Sequence, residues 1–328
     1  MILGVKSSTT SSPGVGRPAR SLGLDGTAVL IDARHVAGFG ATRGFGRYLR
    51  SLLPELALRD EVAVSVLITP DGVSSVPEGV RPIVVRRRLW GRFADPEHRL
   101  LLPLDIARHR TSVFHSAAVE RPPWACAHPW VHTIHDVPLA YAGADQPEEV
   151  RLWCRRRRRV RFADAVIAVS HYAAKAAVPR LGLDPGRVHV IPLGVAGHFS
   201  PAPDRPPGAG EPRKSDPYLL FVADYGPHKG FGEAFELIGA LAERGLPHRL
   251  VHVGRLGPWS RPTVEKLLAR APRPDRVELA GVADDESLLA WYRGADAMIV
   301  TSRAEACPLP VSEAMACGTP VVAFDNTG

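Results

Sequence analysis

Residues 277–322 read VELAGVADDESLLAWYRGADAMIVTSRAEACPLPVSEAMACGTPVV, and this stretch decides the fold. VELAG is a short apolar strand, and DESLLAWYRGA has its apolar residues at helical spacing. AMIVTS is a second strand, VSEAMAC a second helix, and PVVAF, running on to residue 324, a third strand. Strands apolar on both faces that alternate with helices belong to a parallel sheet covered on both sides. Pro310 stands where a first-turn proline is favoured and Gly318 falls just past the helix end, so the second helix is predicted to start near Pro310.

The same alternation runs upstream. YLLFVAD (218–224) and HRLVHVG (248–254) read as strands, each followed by a helical stretch, FGEAFELIGALAERG and TVEKLLARA. Before them, residues 198–217 read HFSPAPDRPPGAGEPRKSDP, too rich in proline and glycine for a helix or central strand. This is the predicted linker. On its other side AVLIDAR opens a first α/β unit, followed by glycines 38, 40, 44 and 46 and the helical RYLRSLLPELAL. VAVSVLIT, IVVR, SVFHS, WVHTIHD and AVIAVS continue as strands. The expectation is a leader over 1–26, a first domain over 27–197, the linker, and a second domain over 218–328 that is incomplete at its end. Both domains are predicted to be doubly wound, with ligands at the carboxyl ends of the strands in the cleft between them.

Length and composition agree. At 328 residues, with 45% apolar and 23% charged residues, the chain has ample core for two domains and is not disordered. Forty-one Lys and Arg against 34 Asp and Glu give +7, which favours anionic partners: nucleotide phosphates, nucleic acid or an anionic membrane face. The four cysteines, at 126, 154, 307 and 317, form no C-x-x-C pair and read as free thiols in a reducing cytoplasm. No apolar run approaches the ~20 residues of a membrane span.

Around the second helix the residues carry chemistry. A helix start preceded by a loop is a natural phosphate site, through unpaired N–H groups and the positive end of the dipole. Glu305 lies in the approach loop and Glu313 in the predicted first turn, with seven residues between them. Two carboxylates flanking an anion site suit a ligand with hydroxyls at both ends and phosphate in the middle, such as a nucleoside-diphosphate sugar. Two Glu at this spacing taken alone are more often surface charges near an ordinary helix cap.

The whole string resembles the donor motif of family-four glycosyltransferases, through E-x(7)-E followed by AMACGTPVV. The resemblance extends over roughly residues 28–328, through IDAR with GFGRYLRSLL, TIHDVPL, ADAVIAVSHYAAKAAV, RVHVIPLGV and YLLFVADYGPHKGFGEAFELI. It is nearest to mannosyltransferase-like members of polysaccharide biosynthesis. It implies the GT-B fold, two Rossmann-like domains facing a central cleft, and retaining transfer of a hexose from a nucleotide sugar to a hydroxyl acceptor. It further implies that Glu305 bonds the donor sugar, that Glu313 holds the ribose, and that Cys307, Pro308, Leu309 and Pro310 approach the diphosphate. Lys229 would neutralise charge on the leaving phosphate. Gly44 and Gly46 would let the first-domain loop come close to the same phosphate, with Cβ-free approach and positive φ available. His135 would lie near the sugar, steadied by Asp136. The chain departs from the family at Asp224, where an arginine is usual, and at Ala306 and Cys307, which replace two glycines; LGVAG lacks the usual Asp after Val195. Those replacements are expected to narrow the loop.

Other features admit two readings. GFGATRGFG fits G-x-G-x-x-G poorly and serves either as a turn or as a phosphate contact. His135 is either a satisfied internal histidine or a site residue. Residues 151–161 hold seven arginines around Trp153, a solvated helix face or an attachment to anionic lipid with Trp153 at the interface; RRRLWGRF (86–93) is a second such cluster. No nucleic-acid module accompanies the charge. No D-x-D pair or His/Cys cluster is present, so no cofactor or metal is implied beyond the sugar nucleotide as co-substrate. The expected partners are a UDP-hexose or GDP-mannose donor and a glycan or lipid-linked acceptor, in a cytoplasmic protein with possible contact at an anionic membrane. A non-catalytic relative that binds nucleotide or a partner, and a sugar-nucleotide epimerase, remain alternatives.

Overall fold

The computed structural model describes residues 27–34, 36, 44–85, 97–117, 122–135, 147–202 and 217–325. The predicted leader, Gly38, Gly40, Asp136, the cluster at 86–93 and most of the predicted linker lie outside these residues. Two parallel sheets form the frame. The first has seven strands: β1 (Thr27–Asp32), β2 (Val62–Ile68), β3 (Arg81–Val84), β4 (Val113–Ser116), β5 (Trp130–Ile134), β6 (Ala165–Ala168) and β7 (Val188–Val190), in the order β3-β2-β1-β4-β5-β6-β7. The second has five: β8 (Tyr218–Val222), β9 (Arg249–Val253), β10 (Val277–Gly281), β11 (Ala297–Val300) and β12 (Val321–Ala323), in the order β10-β9-β8-β11-β12. Both are doubly wound, as their sequences predict. Strand order reverses between β1 and β4 in one and between β8 and β11 in the other, and crevices open at such points.

The core follows from the apolar runs. Leu30 and Ile31 of β1 are fully buried on opposite sides of the first sheet. Helix α1 (Gly44–Ala57) lays Leu49 and Leu53 on one of those sides. Burying each such side chain contributes about 1.5–3 kcal/mol, which holds the helix despite Pro54 in its interior. At the carboxyl end of β1 the buried Asp32 carboxylate accepts two hydrogen bonds of 2.8 Å from Arg34 Nε and Nη2. Such forked pairing compensates two charges taken out of water. Helices α2 (Leu102–Arg108), α3 (Pro147–Arg157) and α4 (His171–Leu181) complete the α-helices described in the first domain.

The second domain carries α5 (Phe231–Glu243), α6 (Arg261–Leu268), α7 (Asp285–Gly294) and α8 (Leu309–Ala316). Its core reaches back along the chain. Val195, Ala196 and the buried Phe199 pack with Tyr218, Tyr292 and Cys317, and Arg293 donates to the carbonyls of Ser200 and Pro201. The head of the predicted linker is thus seated on the second domain, because Phe199 offers that core an apolar side chain. The arginine run also differs from expectation. Trp153, which the lipid-attachment alternative puts at a membrane interface, is 5% exposed and belongs to the first domain's core, with the Arg157 guanidinium 4.9 Å from its ring centre. Helical spacing turns residues 153, 157 and 160 inward together, while Arg151, Arg155, Arg156, Arg158 and Arg161 stay exposed. The four cysteines are free thiols. Among the described residues no helix is long and apolar enough to cross a membrane.

Candidate active site between the domains

A cleft of about 860 Å³ lies between the two sheets, lined from the first domain by α1 and the end of β5 and from the second by the ends of β8 and β11 and the start of α8. The loop after β8 makes one tight turn, Pro227–Lys229, and then Gly230 at φ +70° turns the chain into α5. A Cβ on Gly230 would stand 2.1 Å from the Thr301 carbonyl oxygen. Only glycine fits there, and the close approach brings the β8 loop against the loop after β11. The Thr301 hydroxyl adds contacts with the carbonyls of Lys229 and Gly230 at 3.0 and 2.8 Å.

This junction delivers Lys229 to Glu305. Their side chains meet at 2.6 Å from Nζ to Oε1, with Glu305 buried and Lys229 partly exposed to the cleft. Both are site residues named from sequence, and the structure brings them together. His228 beside them is pushed down to about 4, by burial first and by the Lys229 charge second, so it is neutral at physiological pH.

Glu313 is the fifth residue of α8, one residue further into the helix than predicted, because α8 begins at Leu309. It is buried, and both carboxylate oxygens have partners. The Tyr292 hydroxyl donates to Oε2 at 2.8 Å, and Arg47 Nε of α1 lies 3.0 Å from Oε1. Burial raises the Glu313 carboxyl above its ordinary range, and Arg47 and Tyr292 oppose that rise. Tyr292 and Arg47 were not identified from sequence. Tyr292 reads there as one more apolar position of α7, and Arg47 as part of an amphipathic face.

The predicted phosphate cradle is sparser than expected. Cys307, Pro308, Leu309 and Pro310 do line the cleft. However, Pro308 and Pro310 have no N–H, Leu309 N–H donates to the Cys307 carbonyl at 3.0 Å, and Val311 N–H to the Pro308 carbonyl at 2.9 Å. The helix dipole still points its positive end at the cleft, but the N–H groups of residues 308–311 are spent locally. Gly44 and Gly46 also differ from expectation. Both lie within α1 at helical dihedrals, so positive φ is not used. A Cβ at Gly44 would meet nothing within 4 Å, and Gly46 is buried in the helix.

Ala306 and Cys307 do not narrow an open loop; they dock it. Ala306 is buried against the first domain's core and Cys307 packs beside it. The Ser170 hydroxyl, which caps α4 by accepting from Ala173 N–H, donates to the Ala306 carbonyl at 2.5 Å. Asp224, standing where the family has arginine, accepts from Arg255 N–H at 2.9 Å and so serves as a loop cap.

His135 projects from the end of β5 into the cleft wall, its ring edge on Tyr48 at 4.7 Å between centroids. Neither ring nitrogen has a well-aligned partner among the described residues. Burial lowers it to about 3, with the His115 neighbour acting the same way and the Ala117 main chain opposing. It therefore faces the cleft as a neutral imidazole.

Two facing doubly wound domains, with a lysine–carboxylate pair at the switch point of the second, define the GT-B class of architecture. The sequence model of glycosyl transferases group 1 matches residues 207–328, and that of glycosyltransferase family 4 matches residues 42–196. A D-inositol 3-phosphate glycosyltransferase of Actinosynnema mirum is 30% identical over 326 residues, 87% of this chain and 76% of the relative. One of Xylanimonas cellulosilytica is 33% identical over 221 residues, 61% of this chain and 52% of the relative. The chain thus spans about half the length of several curated relatives it matches. Among solved structures, Anabaena HepE in complex with UDP and glucose superposes with a TM-score of 0.64 at 18% identity, covering 92% of this chain and 82% of that one. The chain belongs to family 4 of the glycosyltransferases.

Proposed function

We propose that the chain transfers a hexose from a nucleoside-diphosphate sugar to a hydroxyl acceptor with retention of configuration. The observation that carries this reading is the 2.6 Å pair of Lys229 and Glu305 at the switch point of the second sheet, opening onto a cleft large enough for a sugar nucleotide. Lys229 would stabilise negative charge as the C1–O bond to the diphosphate breaks. Glu305 would hold the sugar hydroxyls and Glu313 the ribose diol. The acceptor hydroxyl would attack C1 from the face the diphosphate leaves, and the departing phosphate oxygen would take its proton. No side-chain base is required. His135, neutral and lining the first-domain wall, would accept or donate a hydrogen bond to sugar or acceptor.

The first-domain wall also holds Arg50 and Arg157, which suit an acceptor bearing an anionic group. A polyol phosphate, as in the name of the A. mirum relative, and a lipid-linked sugar phosphate share that chemistry. Calorimetry with UDP and GDP, followed by incubation of UDP-hexoses and GDP-mannose with each acceptor type, tests the reading. Binding of neither nucleotide would overturn it. Binding without hydrolysis or transfer would mark a non-catalytic relative, and donor conversion without acceptor an epimerase.

The exposed surface near α3 supports a second element of the reading, contact with an anionic membrane. Phe162 and Trp124 are 55% and 46% exposed. Arg159 joins them: it donates to the Trp124 carbonyl at 2.6 Å, and its guanidinium lies 3.9 Å from the Trp124 ring centre and 5.2 Å from that of Phe162. Exposed aromatics set among exposed arginines fit a lipid interface better than a solvated helix face.

A further inference from the structure

Arg47 bridges the two domains across the cleft. It rises from the start of α1 in the first domain and crosses to two carboxylates of the second, Glu313 at 3.0 Å and Asp285 at 3.4 Å. Its guanidinium lies 5.3 Å from the centre of the Phe199 ring. Its side chain is 19% exposed and lines the same cleft as Lys229 and Glu305. It would be a plain interdomain strap, except that one of its partners is the carboxylate assigned to the ribose. A diol gripping Glu313 through both oxygens needs Oε1, which Arg47 holds, as well as Oε2, which Tyr292 holds.

On the second-domain side of the cleft, Lys229 is the one cationic side chain among the described lining residues. Asp224 takes the place of the family's arginine and caps its own loop. Two prolines and two locally bonded N–H groups occupy residues 308–311. Lys229 is paired with Glu305. A nucleoside diphosphate brings two or more negative charges into this cleft, and such groups are bound by charge-assisted, forked hydrogen bonds that arginine supplies best.

We infer that Arg47 is an exchangeable ligand of the donor diphosphate: it pairs with Glu313 and Asp285 and turns to the phosphates when the ribose takes Glu313. The inference rests on the reading of the cleft as a nucleoside-diphosphate site. The exchange keeps Arg47 paired with negative charge throughout, while Glu313 gives up an ion pair for neutral hydrogen bonds. Arg47 leaves two carboxylates for a diphosphate, and Glu313 trades one hydrogen bond from Arg47 for those of the diol. Because Arg47 belongs to the first domain and the donor to the second, the same exchange fastens the two domains around the bound donor.

Titration calorimetry of wild type, Arg47→Ala and Arg47→Lys tests this with two probe pairs, UDP against uridine and GDP against guanosine, using the pair whose diphosphate the wild type binds. Arg47→Ala is expected to weaken the diphosphate by about tenfold to a hundredfold, the worth of a charge-assisted contact. Binding of the nucleoside is expected to stay the same or tighten, since Glu313 is released. Arg47→Lys should recover part of the diphosphate affinity, and the salt dependence of diphosphate binding should flatten in Arg47→Ala. Equal weakening of diphosphate and nucleoside would reduce Arg47 to a structural strap and overturn the inference, as would unchanged or tighter diphosphate binding. If Arg47→Ala does not fold, the diphosphate-to-nucleoside ratio in Arg47→Lys decides, a ratio equal to wild type counting against exchange. A wild-type chain that binds neither diphosphate would sink the site reading itself, and the role of Arg47 with it.

Discussion

The Lys229 ammonium lies 2.6 Å from the Glu305 carboxylate, joining the loops that follow β8 and β11, the two strands at which the second sheet reverses its order. Glu305 is 8% exposed, so removing Lys229 leaves a carboxylate poorly served by water. Lys229→Ala is expected to lower transfer by about 10²–10³-fold, the range for deleting one donor that stabilises developing negative charge. Glu305→Gln should lower it at least as far while keeping the fold. In a double-mutant cycle the paired variant should lose roughly 1–3 kcal/mol less stability than the two single losses summed. Additive thermal shifts, or turnover within a few-fold of wild type in Glu305→Gln, would count against the assignment.

Ser170 performs two tasks that can be separated. Its hydroxyl accepts from Ala173 N–H at the start of α4 and donates to the Ala306 carbonyl in the other domain. Ser170→Ala loses both, with about 1 kcal/mol expected from the cap alone. Ser170→Asp keeps a capping acceptor but has no proton to give Ala306 at neutral pH. The Asp variant should therefore melt near wild type while its KM for donor rises several-fold and kcat changes less. A KM equal to wild type in both variants would show that this contact does not position the loop before α8.

The histidines of the first sheet give a pH signature. Burial lowers His115 to about 4 and His135 to about 3, and holds His132 well below its ordinary value, with the Arg157 charge adding to burial at His132. The folded values lie under the unfolded value near 6.5, so the unfolded chain takes up protons first as pH falls. Stability is therefore complete above pH 6.5 and is lost on acidification toward pH 4, by up to roughly 1.4 kcal/mol per pH unit for each histidine. Thermal melts from pH 7.5 to 4.5 should show a steep fall, and His135→Gln should flatten it by about one proton. A melting temperature level across that range would contradict the buried neutral state.

Most of the frame was legible because continuous apolar runs such as AVLI, YLLFV and AMIV can only be interior strands of a parallel sheet. β7 was not, since it is three residues long at a sheet edge, and neither was α2, seven residues with a proline near its start. In the site, Glu305, Glu313 and Lys229 were legible through their spacing and the family resemblance. Arg47 with Glu313, and Ser170 with Ala306, were not, because each pair exists only once the two domains face one another. The inward turn of Trp153 was hidden for a related reason. Composition marks an arginine run as exposed, whereas helical phase turns every third or fourth residue of it into the core. The glycines at 44 and 46 were read as loop residues, but they continue the helix whose apolar face Leu49 and Leu53 define.

The surface of the arginine run makes the last prediction. Arg155, Arg156, Arg158 and Arg161 are exposed, and Arg159 and Arg161 lie against the exposed Phe162 ring. Each cation near an anionic bilayer contributes about 1 kcal/mol at moderate salt, and the aromatic rings add burial at the interface. The chain is expected to sediment with vesicles containing anionic phosphatidylglycerol and to stay in solution with pure phosphatidylcholine. Raising the salt to about 0.5 M should release it, because the attraction acts within a Debye length. Replacing Arg155, Arg156 and Arg158 by Glu together should abolish sedimentation without moving the melting temperature, since none of the three is buried. Phe162→Ala should weaken binding in a way that added salt does not reproduce. Binding to neutral vesicles as strongly as to anionic ones would exclude the arginines as its cause, and no binding to either would return the run to a solvated helix face.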